Sequence, residues 1–348
     1  MYDKLLFTDF HLKKEKLVEQ YEILKQIVSI CINTKVKTVY FLGDMFNDRR
    51  YVTIFELNVF KSFRKKLKEN NIQFIAIAGN HDKPNNESDI SYLGIFENSK
   101  EDKIFEGRKF FRINNFGFIP YFPDNIIIDL VKNYEYKNKI EYMFMHCGFN
   151  GVKNNNGSVV ESGLTLKTFK DYKNLKNIFV GHYHERIDLY NGIVKYIGNS
   201  FQLNFGERDN KRIYLFNGID LKPIPLKYSK YKTYNLECNA NDYKRAREIV
   251  LLEKDNYIRL NFVDDKQKLS SIPEELLRKI SLCKELKIEK DFYDLKKPDD
   301  YQLNTNDSIL KLFTEYASQE NMNKEEKIFG LKVFNQTTNE KNIYGDYE

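Results

Sequence analysis

The chain carries four cysteines and no pair of them in CxxC spacing; Cys31, Cys147, Cys238 and Cys283 are scattered over 348 residues. That excludes a disulfide framework and fits a reducing compartment, where thiols serve as small buried hydrophobes. The N-terminus lacks a basic region followed by a long hydrophobic core, so no signal peptide is expected. No apolar stretch approaches the roughly 20 residues that a membrane-spanning helix requires. A soluble cytoplasmic protein with no membrane partner is therefore expected. There is no GxxxxGK[ST] loop, which removes the common route to ATP binding. Internal repeats and long low-complexity tracts are also missing. Tryptophan is absent and proline counts only 7, while the composition leans to Lys, Asn, Ile, Tyr and Phe. Such a bias follows from a low-GC genome as readily as from function. The net charge of +6 thus permits a polyanionic partner without demanding one.

What is present is concentrated in five places. All five histidines lie in short motifs that close apolar runs. Asp9-Phe10-His11 follows KLLFT, and Gly79-Asn80-His81-Asp82 follows FIAIA. His146 follows EYMFM, and Gly181-His182-Tyr183-His184 follows NIFV. A fifth motif without histidine, Gly43-Asp44-Met45-Phe46-Asn47-Asp48, follows TVYFL. Imidazoles, carboxylates and one amide placed at strand ends are what a pair of adjacent divalent metals needs. Asp9 and His11 are two apart, as are His182 and His184, so each pair can face one cavity. Mixed nitrogen and oxygen donors suit Mn²⁺, Fe²⁺ or Zn²⁺ better than Ca²⁺. Two such cations activate water and stabilise a phosphoryl transition state. No Ser or Cys nucleophile is indicated, so direct in-line attack is expected rather than a covalent intermediate.

The first 85 residues alternate strand and helix. KLLFT, TVYFL and FIAIA read as strands. Residues 14–34 read as a helix with Leu17, Tyr21, Leu24, Ile27 and Val28 on one face, and 53–70 as a second. Near-continuous apolar runs between helices predict parallel strands buried on both faces, with ligands beyond their carboxyl ends. Residues 100–227 are richer in strand signals, with hairpin turns at Asn191-Gly192 and Asn217-Gly218 and a polar loop at 154–158. From 228 to 295 three strand-like runs alternate with helical stretches at 242–253 and 273–282, suggesting a small α/β unit. Residues 296–305 read as a linker. In 306–348, Ile309, Leu310, Phe313, Tyr316 and Ala317, then Ile328, Leu331 and Phe334, fall at helical spacing. Two short amphipathic helices there can pack on their own domain or dock on a partner.

The order D-x-H, GD, GNHD, H, GH-x-H across residues 9–184 resembles the calcineurin-like metallophosphoesterase superfamily. The resemblance implies an α/β sandwich core, residues 1–227, holding seven ligands. Metal one takes Asp9, His11, Asp44 and His184. Metal two takes Asp44, Asn80, His146 and His182, with Asp44 bridging through its two oxygens. The run YIGNSFQLNFGE, Tyr196 to Glu207, is similar to the segment after GH-x-H in SbcD-type DNA repair exonucleases. GDMFNDRRYVT resembles the bacteriophage recombination nuclease subunits of that group, which would place a virus-encoded protein in the host cytoplasm. Membership implies a homodimeric subunit with a capping, DNA-binding domain over 228–295. Its C-terminal helices would dock on an SbcC-type ATPase of the structural-maintenance class, which handles ATP. Activity would be manganese-dependent (Mn²⁺), exonucleolytic on double-stranded DNA and endonucleolytic on single strands. Relatives often carry Asp or His where this chain has Asn47, and the GNHD segment continues Lys83-Pro84-Asn85-Asn86.

His81 neighbours Asn80, so its side chain diverges from the ligand and is free to protonate a leaving oxygen or stabilise phosphate charge. Asp82 is expected to orient His81 by accepting its other N–H. Arg49, Arg50 and Lys83 follow ligand-bearing motifs and are candidate contacts to DNA phosphates. Two other readings compete. One is a phosphatase or phosphodiesterase acting on small or protein substrates. The other is a catalytically silent scaffold for the ATPase, disfavoured because the ligand set is complete.

Overall fold

The computed structural model describes residues 2–96, 102–152, 159, 162–264 and 266–292. The chain begins β1 (Lys4–Phe7), α1 (Leu17–Thr34), β2 (Thr38–Phe41), α2 (Ile54–Glu69), β3 (Gln73–Ile77) and β4 (Lys103–Phe105). It continues β5 (Phe111–Ile113), β6 (Phe116–Ile119), α3 (Asp124–Asn133), β7 (Tyr142–His146) and β8 (Asn177–Gly181). Then come β9 (Ile187–Leu189), β10 (Val194–Tyr196), β11 (Ile213–Phe216) and β12 (Leu221–Ile224). The last elements are β13 (Tyr231–Leu236), α4 (Ala240–Leu252), β14 (Tyr257–Asp264), α5 (Lys266–Ser270), α6 (Glu274–Ile280) and β15 (Glu285–Phe292).

Two six-stranded sheets form, in the orders β12-β11-β1-β2-β3-β4 and β5-β6-β7-β8-β10-β9. β1 to β4 run parallel, as do β6, β7, β8 and β10. The period-2 alternation of a strand explains why their sequences are apolar throughout. Leu5, Phe7, Val39, Phe41, Phe74 and Ala76 point outward to α1 and α2. Leu6, Tyr40, Leu42, Ile75 and Ile77 point inward, against Phe118, Tyr142, Phe144 and Phe179 of the other sheet. The Tyr40 and Phe144 rings stack across that interface with centroids 4.9 Å apart. Met143, Met145, Ile178 and Val180 face outward under α3. The architecture is an α/β sandwich: helix, sheet, sheet, helix.

α1 and α2 form where expected. α2 starts at a reciprocal capping box, in which Thr53 accepts from the Glu56 N–H and Glu56 from the Thr53 N–H. α1 stops at Lys35, which turns left-handed at φ 59. The hairpins β9–β10 and β11–β12 close at Asn191-Gly192 and Asn217-Gly218, with positive φ at Asn191, Gly192 and Gly218. α3 departs from the strand-rich reading of 100–227. Its run Ile126-Ile127-Ile128 favours a strand locally, yet burying Ile127 and Val131 on the second sheet decides for helix.

β13, β14 and β15 make a third, parallel sheet with its own apolar cluster, including Leu236, Val250, Ile258, Leu260, Phe262 and Leu277. It docks on α1, where the Glu19 carboxylate accepts from the Ser229 N–H at 2.9 Å and the Tyr257 hydroxyl at 2.8 Å. The described residues up to Phe292 form one compact unit. The linker and tail helices expected over 296–348, and the loop 154–158, lie outside the described residues.

Candidate metal centre

The carboxyl ends of β1, β2 and β3 in one sheet meet those of β7 and β8 in the other. His146 is the last residue of β7, and the other candidate ligands sit in the loops just beyond the strands. Asp9, His11, Asp44 and His182 all adopt left-handed backbone, with φ of 50, 50, 61 and 96. Each turns the chain within four residues of a strand end while its side chain aims back into the cleft. Such strain persists only where surrounding bonds enforce it. Here the Asp9 N–H donates to the Gly43 carbonyl, the Phe10 and His11 N–H groups to the Asp44 carbonyl, and the Leu12 N–H to the Met45 carbonyl. Gly79 is required by close approach, since a Cβ there would collide with the Asp44 carboxylate.

Three overlapping groups of donors result, one of them His11, Asp44 and His81, whose ligand atoms lie within 4.8 Å of one another. Ligand atoms of Asp9, His11 and His184 lie within 4.8 Å of one another, and so do those of Asp44, His146 and His182. His11 Nε2 is 3.1 Å from His184 Nε2, 3.9 Å from Asp9 Oδ1 and 3.8 Å from Asp44 Oδ2. Asp44 Oδ2 is also 3.3 Å from His146 Nε2. The Asn80 amide oxygen is 3.0 Å from His146 Nε2 and 2.8 Å from His182 Nδ1. Asp44 therefore stands between the groups. The donor set fits two divalent cations, and two of the four imidazoles have an acceptor for a proton on the far side. His146 Nδ1 is 2.7 Å from the Leu42 carbonyl, and His184 Nδ1 is 2.7 Å from Glu207 Oε1. In the neutral ring, each leaves its other nitrogen with a lone pair toward the cleft. His11 Nδ1 is buried without a partner.

The electrostatics suit the same reading. Burial pushes His11 well below its usual range, and burial with the neighbouring His146 pushes His182 down to about 3. Both are neutral and free to donate. Burial works to raise Asp44, but His146 and His11 hold it well below the usual carboxylate range. Burial raises Asp9. Burial would lower His146, yet Asp44 raises it to about 9 in the metal-free protein.

Two expectations meet a different arrangement. Asp82 does not accept from His81. Its fully buried carboxylate takes four backbone N–H groups, from Gly79 at 2.9 Å and Asp44 at 2.8 Å on one oxygen, and from Met45 at 2.8 Å and Phe46 at 3.2 Å on the other. It ties the β2 loop to the β3 loop. His81 Nδ1 lies 2.7 Å from the Asn47 backbone carbonyl instead, and the His81 N–H donates to Asp44 Oδ1. The Asn47 departure is thus harmless to that contact, which uses main chain. Lys83 is not a surface cation: it is fully buried, with Nζ donating to the Tyr121 carbonyl at 2.8 Å and lying 3.4 Å from the Phe122 ring centroid. Burial pushes its ammonium down to about 7. Arg50 is exposed, and Arg49 donates to the Asn86 side chain at the rim.

Sequence reasoning gave no role to Tyr121, whose ring lies 5.7 Å from that of His182, or to Gln20, whose amide spans the His11 carbonyl and the Lys13 N–H. Neither carries a local signal. Glu207 lay inside the YIGNSFQLNFGE segment, but its partner is 23 residues away in the chain.

The description of calcineurin-like phosphoesterases matches residues 5–221. The DNA double-strand break repair protein Mre11 of Methanocaldococcus jannaschii is 25% identical over 353 residues, spanning 94% of this chain and 91% of that protein. Its Sulfolobus acidocaldarius namesake is 33% identical over 108 residues, 29% of this chain and 28% of that protein. That of Saccharolobus solfataricus is 28% identical over 198 residues, 52% of this chain and 49% of that protein. The matched span contains every candidate ligand and both sheets, apart from Lys4 and most of the edge strand β12. The chain belongs to the calcineurin-like phosphoesterase family and is a metal-dependent phosphodiesterase.

Proposed function

We propose that this chain is a DNA end-processing nuclease, hydrolysing DNA phosphodiesters in repair and recombination. The observation that carries the reading is the buried convergence of donors from both sheets, with Asp44 shared between two groups. The three relatives named as DNA double-strand break repair proteins give the substrate class. Asp9, His11, Asp44 and His184 would hold one divalent ion; Asp44, Asn80, His146 and His182 would hold the other. Manganese is the proposed ion. A bound pair of such ions supplies water activation and charge neutralisation at the phosphate.

The protein groups do the rest. Asp44 and His81 sit side by side, and the His11 and His81 rings meet edge to face at 4.9 Å. With Nδ1 committed to the Asn47 carbonyl, His81 Nε2 is the nitrogen available to protonate the leaving oxygen. Tyr121 walls the cleft beside His182, the two rings 5.7 Å apart. Arg49 and Arg50 meet backbone phosphates, which calls for no base readout.

The finer biology extends the same reading. Double-strand exonuclease and single-strand endonuclease activity, an SbcC-type ATPase bound by the 306–348 segment, and a homodimer belong to it. Tyr51, Ile54 and Phe55 are exposed apolar residues at the start of α2, and Ile90 and Ile95 are exposed in the loop whose Tyr92 and Phe96 pack on Phe46 and Phe60. That patch supports self-association. Among the described residues no helix is long and apolar enough to cross a membrane. The test is Mn²⁺-dependent digestion of end-labelled linear duplex DNA, beside a closed circular control and a chromogenic phosphodiester. Degradation from linear ends supports the reading. Turnover of the small ester with duplex ends untouched, even with the ATPase partner added, would replace it with a general phosphodiesterase.

A further inference from the structure

We infer that Glu207 is a positioning residue for the first metal: its carboxylate fixes His184 as the Nδ1-protonated tautomer, so that Nε2 presents a lone pair to the ion. The inference rests on reading His184 as a ligand.

The geometry separates the two oxygens of Glu207. Oε2 is saturated by donors from its own loop: the Asn199 amide at 2.9 Å, the Leu203 N–H at 3.0 Å and the Lys211 ammonium at 3.5 Å. Oε1 is committed to His184 Nδ1 at 2.7 Å. The carboxylate is buried, with 1% of its side chain exposed, so no water competes for either oxygen. With an amide, a backbone N–H and the Lys211 ammonium all directed at Oε2, the group is a carboxylate, which only accepts, so the proton between the two groups belongs to Nδ1. The far nitrogen, Nε2, is the one facing His11 Nε2 at 3.1 Å and Asp9 Oδ1 at 4.0 Å. Lys211 holds the backbone as well, donating to the His184 carbonyl at 2.8 Å and to Glu185 at 2.9 Å. His146 and His81 rest on backbone carbonyls, whereas His184 rests on a charge, which makes its ring a stronger donor.

Glu207→Gln separates tautomer control from packing. Glutamine has nearly the same shape but one acceptor oxygen. Three donors at the Oε2 position claim that oxygen, so the amide NH₂ turns toward His184 Nδ1. That nitrogen must then accept, and the ring proton moves to Nε2, the metal-facing atom. Two measurements follow. Calorimetric titration with Mn²⁺ is expected to show two sites in the wild-type protein and one of them weakened about 10- to 100-fold in Glu207→Gln. The other site and the melting temperature stay near wild type. Imidazole nitrogen and carbon NMR shifts of the metal-free protein, at alkaline pH where the ring is neutral, should report Nδ1–H for His184 in the wild type and Nε2–H in the variant.

Two Mn²⁺ ions bound at wild-type affinity by the variant would overturn the role, as would an Nε2–H tautomer in the wild-type protein, a reading that needs no variant to fold. Equal weakening of both sites with a lowered melting temperature would make Glu207 a loop brace and also overturn it. Wild-type protein that binds no Mn²⁺ at all would refute the ligand reading beneath the inference, a result distinct from the other three.

Discussion

Asp82→Asn should destabilise the protein. The Asp82 carboxylate accepts four buried backbone N–H groups, two per oxygen. Asparagine keeps one oxygen and two of these bonds. It turns an NH₂ toward the other two donors, which then have no acceptor. A buried N–H left unsatisfied costs about 1–3 kcal/mol, so the two together cost about 2–6 kcal/mol. A domain's whole stability is typically about 5–15 kcal/mol. The assay is urea unfolding followed by circular dichroism, with a chelator present so that metal binding adds nothing. The midpoint should fall with the slope unchanged, which marks lost stability rather than an altered denatured state. The same variant tests the rejected role. If Asp82 acted by orienting His81, its replacement would abolish cleavage and leave stability within about 1 kcal/mol of wild type. That outcome would refute the reading of Asp82 as a clamp between two loops.

His81→Ala is expected to keep its fold and bind two Mn²⁺ while cleavage falls about 10²- to 10⁴-fold; undiminished nuclease activity would remove His81 from the chemistry. Asp44→Asn should weaken both metal sites, because Asp44 stands between both donor groups, and calorimetry showing two ions at wild-type affinity would sink the bridging assignment. Arg49→Ala and Arg50→Ala should each reduce the slope of log affinity against log salt for duplex DNA by about 1. Lys83→Met should leave that slope unchanged, since its ammonium is buried against Tyr121 and Phe122; a reduced slope would mean that it reaches phosphate after all.

The site was legible because its residue types are chemically scarce and fall at a repeated structural position. Five histidines, each closing an apolar run, mark strand ends without any need to know which strands pair. The parallel strands were legible for a related reason: burial on both faces erases the polar alternation that a half-exposed strand shows. What stayed hidden depends on backbone atoms or on distant contacts. The Asn47 carbonyl that holds His81 is main chain and leaves no mark in residue identity. The sequence pairs Asp82 with its neighbour His81, while three of its four donors come from residues 36 to 38 positions earlier. Lys83 looked like a surface cation because lysine is abundant here, and only the fold shows it beneath Phe122. α3 was missed because three consecutive isoleucines favour a strand until a sheet face needs covering.

These hidden contacts explain how the legible ones work. Side chains at strand ends point wherever the following loop allows, and four of the seven proposed ligands need left-handed backbone to turn inward. That conformation is unfavourable for Asp and His taken singly. It is held by main-chain bonds between the β1 and β2 loops, by the His182 N–H donating to the Asp9 carboxylate from the opposite sheet, and by the Asp82 clamp. The donors are therefore arranged by the protein rather than gathered by an ion. Bringing seven side chains together from solution would cost conformational entropy at the moment of binding. Here that cost is met during folding, from the burial of two sheet faces, so binding free energy remains available for holding the metals tightly and for polarising what they bind.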